Sequence, residues 1–138
     1  MISVINFVYC LNVIRKVNPD RTETVDASGI LPVLLPESIP GNFSFSIVFT
    51  VLGINPKQLN NVQIQFKKDN VIVADSGIIS IAPIDKLEKN SLPDDYVGLN
   101  MSMDFRNIVF KKTGIYNTLI FINSKEIASE PIYVQGKC

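Results

Sequence analysis

Between Leu99 and Arg106 the chain alternates without exception. Leu99, Met101, Met103 and Phe105 are apolar; Asn100, Ser102, Asp104 and Arg106 are polar. A period of two sends the two sets to opposite faces of an extended strand, one buried and one wet. Thr113-Gly114 interrupts this run, and Ile115 to Ile122 forms a second. Asn123-Ser124-Lys125 supplies a turn, and Ile127 to Val134 forms a third. The C-terminal part of the chain therefore predicts three consecutive strands, which limits the molecule to folds rich in sheet.

The same reading extends upstream. Ser3 to Val13 predicts a first strand, and Asn18-Pro19-Asp20 a turn. A second strand spans Thr22 to Leu34, with a bulge or bend at Ser28-Gly29. Pro32 and Pro36 lack the N–H that a ladder needs, so its end lies at an edge or leaves the sheet. Phe43, Phe45, Ile47, Phe49 and Val51 share one face and predict a central core strand. Val62, Ile64 and Phe66 alternate with Gln63, Gln65 and Lys67; Asp69-Asn70 then turns the chain into a return strand, Val71 to Ala74, continuing as Ile78 to Ala82. The apolar phase slips by one near Arg106-Asn107, which predicts a β-bulge. The long irregular segment is Pro83 to Tyr96, with room for a short helix over 83–89 that starts on proline. About seven to nine short strands and no long helical pattern indicate an all-β antiparallel sandwich.

A chain of 138 residues predicts one domain over 1–138. Apolar residues make up 46%, enough for a core, and the formal charge is zero. No net field draws such a molecule to nucleic acid or to an anionic membrane, and neither is expected as a partner. The pairs Lys67-Lys68 and Lys111-Lys112 read as solvated strand ends or turns. The apolar run Ile2 to Ile14 is shorter than the roughly 20 residues of a membrane helix. Its basic residues, Arg15 and Lys16, follow it, whereas a signal peptide carries them first. The expected location is cytoplasmic. Cys10 and Cys138 do not make a disulfide framework; Cys10 reads as a small buried hydrophobe.

Gly114-Ile115-Tyr116 narrows the sandwich further. In immunoglobulin-like domains a tyrosine near the start of the penultimate strand bonds back to the backbone at the corner, a structural role that fits Gly114 and Tyr116. Thr118 stands where antibody domains carry a cysteine, and the chain has no tryptophan, which excludes a disulfide-type immunoglobulin domain. The segments Phe7-Val8-Tyr9-Cys10, Ser28-Gly29-Ile30-Leu31, Ile39-Pro40 with Phe43 to Phe49, Gly114 to Tyr116 and Glu130-Pro131-Ile132 resemble a group of small bacterial and phage-associated proteins of unknown function. That resemblance implies an immunoglobulin-like sandwich and no particular activity. The hairpin joining the first strands and the segment 83–96 are longer here than in that group.

The chain contains no histidine, which removes Ser-His-Asp and Cys-His nucleophilic sites and histidine-ligated metal centres. No phosphate-cradling glycine motif is present. Neither a catalytic residue, a metal ligand nor a cofactor is assigned. The loop over 83–96 carries Asp85, Lys86, Glu88, Lys89, Asp94, Asp95 and Tyr96, and is the candidate interaction loop. Leu119 to Ile122 and Ile78-Ile79 are apolar on both faces: either neighbouring elements cover them, or another chain does, as a homo-oligomer or protein partner. The expected function is thus a non-enzymatic protein-binding or structural module, with a phage or prophage accessory role, or host-factor binding, implied by the resemblance. The alternative is a sandwich that holds a small molecule or metal through end loops.

Overall fold

The aromatic and β-branched residues that alternate along this chain line the space between two sheets. A computed structural model describes residues 1–20, 23–83 and 93–137. In chain order its strands are β1 (Ser3–Val17), β2 (Glu23–Ile30), β3 (Val33–Leu34), β4 (Gly41–Leu52), β5 (Asn60–Lys68), β6 (Val71–Asp75), β7 (Ile79–Ile81), β8 (Gly98–Phe110), β9 (Gly114–Ile122) and β10 (Lys125–Val134). One sheet has the order β2-β1-β4-β8, and the other β3-β10-β9-β5-β6, with β7 also paired to β5. Among the described residues the helical content is one 3-10 turn, Asp94–Tyr96. The short helix expected over 83–89 lies outside the described residues apart from Pro83.

Three expectations need correction. The second strand is two strands: β2 stays with β1, and after Pro32 the chain crosses to the other sheet as β3. Pro32 cannot continue the ladder, so the break falls where a donor is missing. The sheets are also not purely antiparallel, because β3 runs parallel to β10, with Tyr133 opposite Val33. The return strand after Asp69-Asn70 is broken as well. Both turn residues take positive φ, 51° and 66°, as a tight hairpin of matching twist requires. β6 pairs with the end of β5 and β7 with its start. At the break between them, the Ile64 N–H donates to Ser76 Oγ at 2.8 Å, so a side chain replaces a ladder acceptor. The Asp75 carboxylate accepts from the Gly77 N–H and from the amides of Gln63 and Gln65. These bonds, Gln63 first, hold its carboxyl below the usual range.

The bulge is where the phase slip puts it. Phe43 faces Ile108 and Phe45 faces Phe105, so β8 carries one extra residue at Arg106-Asn107. Asn107 takes φ 53°, and its N–H donates to Ser44 Oγ at 2.9 Å.

Phe45, Phe49, Phe66, Phe105, Phe110 and Tyr116 are all buried. Phe45 stacks on Phe105 within its sheet at 4.9 Å and meets Phe66 of the facing sheet at 5.3 Å; Phe66 stacks on Tyr116 at 5.4 Å. Each such side chain contributes about 1.5–3 kcal/mol by leaving water. One polar tie crosses this core. The Tyr9 hydroxyl on β1 donates to the Glu130 carbonyl of β10 at 2.8 Å and lies 2.7 Å from Thr118 Oγ1 of β9. A phenol has one proton, so with that proton on Glu130 the Thr118 hydroxyl is the donor to Tyr9.

Removing the Tyr9 hydroxyl (Tyr9→Phe) leaves the buried Thr118 hydroxyl without its acceptor and is expected to cost about 1–3 kcal/mol in urea unfolding. Burial pushes the Tyr9 phenol well above its ordinary value. A raised pKa in the folded state means this contribution is complete below about pH 10, the unfolded value, and is lost as pH rises beyond it. Unfolding free energy measured from pH 8 to pH 11 should therefore fall less steeply in Tyr9→Phe than in the parent; equal slopes would refute the assignment.

Candidate functional site

Two edge strands face each other along one side of the molecule: β6 closes one sheet and β8 closes the other. Between them lies a cleft of about 480 Å³. Val71, Ile72 and Val73 form one wall, and Asn107, Ile108 and Val109 the other. Lys68 and Asp69 come from the β5–β6 turn, Lys111 and Lys112 from the β8–β9 loop, and Tyr116 from the start of β9. A volume of this size suits a small organic ligand. Val71, Ile72 and Val109 are 65%, 48% and 54% exposed, unusual for three neighbouring aliphatic side chains.

The lysines are placed by different means. Lys68 ends β5 and lies along the core, with its Nζ 5.8 Å from the Tyr116 ring centre and 2.7 Å from Asp69 Oδ2. That contact, with Lys112 adding to it, holds the Asp69 carboxyl below the usual range. Lys112 is fixed through its backbone: the Tyr116 hydroxyl donates to its carbonyl at 2.7 Å, pinning the β8–β9 loop to the core. Gly114 takes φ 140°, and a Cβ there would stand 3.1 Å from Lys68 Cε and Nζ. The glycine thus leaves room for the lysine on its way into the cleft. Among the described residues Lys111 and Lys112 form no ion pair, so the cleft presents three ammonium groups against one carboxylate.

The residues singled out from sequence are placed elsewhere. Asp85, Lys86, Glu88 and Lys89 lie outside the described residues. Asp94, Asp95 and Tyr96 form the exposed 3-10 turn just before β8, and Asp95 accepts from the amino group of Met1 at 2.8 Å. The cleft is at the other end of β8. The strand from Gly98 to Arg106, at ~3.3 Å per residue, separates the two by roughly 30 Å. Tyr116 lines the cleft, and Gly114 lies against Lys68. Among the described residues no group of three or more acidic or cysteine side chains could hold a metal ion, and no helix is long and apolar enough to cross a membrane. Cys10 is buried, and burial pushes its thiol up, away from the reactive thiolate. Leu119 and Phe121 are half-buried, on the face opposite Thr118, Ile120 and Ile122.

No family model matches the chain, and no curated protein matches it. Among solved structures it is similar to the alkylpurine DNA glycosylase AlkC of Pseudomonas fluorescens, bound to DNA containing an abasic site analog. The TM-score is 0.47 at 10% identity, over 97% of this chain and 30% of that one. The chain thus spans less than a third of that protein's length, and the DNA and the chemistry belong to that protein. The expectation of a protein-binding or structural module is withdrawn: the solved structure to which the chain is similar is not such a module, and a likeness at this TM-score assigns no activity of its own to the chain.

Tyr116→Phe should lower stability by about 1 kcal/mol in urea unfolding, because the Lys112 carbonyl loses its donor. Gly114→Ala should also destabilise, through its φ and through the displaced Lys68. A Gly114→Ala variant as stable as the parent would contradict the close approach.

Proposed function

We propose that this chain is a binding domain of immunoglobulin-like kind whose cleft between β6 and β8 takes an organic anion with an apolar body. The bond from Tyr116 to the Lys112 carbonyl supports the immunoglobulin-like part. The binding part rests on one observation. Lys68, Lys111 and Lys112, from two separate turns, stand beside a wall of exposed aliphatic side chains, and Lys111 and Lys112 form no ion pair among the described residues. Ammonium groups favour carboxylate, sulfonate or phosphate oxygens, and the aliphatic wall gains free energy when an apolar surface displaces its water. The reading is one of binding, with no chemical step.

The test is titration with 1-anilinonaphthalene-8-sulfonate, whose charge is fixed above acid pH, followed by its fluorescence. The folded protein should bind it saturably near one equivalent. Lys111→Gln with Lys112→Gln should weaken binding by about tenfold, and Asp69→Asn, which removes the opposing charge, should tighten it. Thermal melts of each variant separate this from dye bound to unfolded chain. Equal affinity across the parent and these variants would sink the proposal, as would a short DNA duplex that displaces the dye stoichiometrically.

A further inference from the structure

Within this reading of the cleft, the shape and composition of its walls narrow the class of ligand. The aliphatic side chains Val71, Ile72, Val73, Ile108 and Val109 run along two strand edges, while the three lysines come from the β5–β6 turn and the β8–β9 loop, at the start of β6 and the end of β8. Charge therefore sits at one end and apolar surface extends away from it. Among the described residues the single aromatic ring lining the cleft is that of Tyr116, which is 2% exposed, with one face stacked on Phe66 and Phe110 against it edge-on. A nucleobase or other flat ring would find no free aromatic face to stack on. A flexible alkyl chain needs none, and branched aliphatic side chains suit it.

We infer that the ligand is a free single-chain amphiphile, with its anionic head at Lys68, Lys111 and Lys112 and its chain lying between β6 and β8. The inference depends on the cleft being an anion site and adds the direction and nature of the apolar part. The turn Asp69-Asn70, fixed by positive-φ backbone, and the loop held by the Tyr116 bond to the Lys112 carbonyl flank the head end, so the lysines are carried on defined turns.

Calorimetric titration with octanoate, decanoate and dodecanoate, each below its micellar concentration at pH 8, tests this. Affinity should rise about fourfold per added CH₂. Lys111→Gln with Lys112→Gln should weaken every member equally and leave that increment intact. Ile72→Asp with Val109→Asp, at two exposed positions, should flatten the increment, with melting temperature checked for both variants. Affinity independent of chain length, or an increment untouched by the aspartates, would overturn the amphiphile while leaving the dye result standing. Loss of both dye and carboxylate binding would remove the anion site itself. Sedimentation of the protein with phosphatidylglycerol vesicles, without free chains, would overturn it in favour of a membrane surface.

Discussion

Phe45 and Phe66 meet across the gap between the two sheets, and most other features of the molecule are arranged around that contact. Phe45 brings β4 and its stacked neighbour Phe105 of β8; Phe66 brings β5 and Tyr116 of β9. Large rings at this point keep the sheets at the separation at which interleaved side chains fill the space. The Tyr9 tie to Thr118 and Glu130 depends on the same spacing, since a hydroxyl that bridges three strands tolerates little slip between layers. Apolar burial thus sets the distance, and the hydrogen bonds fix the alignment.

The cleft follows from how this core ends. At the β6–β8 side the aromatic stack finishes with Phe110 and Tyr116, and beyond them the two edges are lined by smaller aliphatic residues. Neither edge is closed by a further described strand at that level, because the return strand is broken at Ser76-Gly77 and β7 pairs with the far end of β5. An open strand edge is a liability that natural sheets usually cover or charge. Here Lys68, Lys111 and Lys112 supply the charge and also create a polar mouth on an apolar cleft. One arrangement therefore serves protection of the edge and, on the reading proposed above, recognition.

The site was less legible than the fold. The pairs Lys67-Lys68 and Lys111-Lys112 were visible as basic pairs beside turns, and each alone reads as solvent-facing punctuation. Residues some forty positions apart come together only when β6 and β8 occupy neighbouring edges of opposite sheets, which no local pattern encodes. The charged loop over 83–96 stands out in sequence because its charges are close together, yet its described part from Asp94 to Tyr96 is a surface turn at the opposite end of β8. Tyr116 lines the cleft and Gly114 makes room for Lys68, whereas the sequence pattern marks both for a corner rather than for a ligand.

Side-chain alternation by itself determined most strand positions, the bulge at Arg106-Asn107, the turns at Asp69-Asn70 and Asn123-Ser124, and the burial of Phe45, Phe49, Phe66 and Tyr116. Composition determined that no imidazole chemistry occurs in this chain. These are short-range properties, set by which face a residue occupies and by the backbone angles that Gly, Asn, Asp and Pro permit. Tertiary structure alone decided the split of β2 from β3, the parallel pairing of β3 with β10, and the meeting of three lysines with an aliphatic wall. Those outcomes depend on sheet order and on contacts between residues far apart in the chain, where the free energy of the whole core selects among pairings that are locally equivalent.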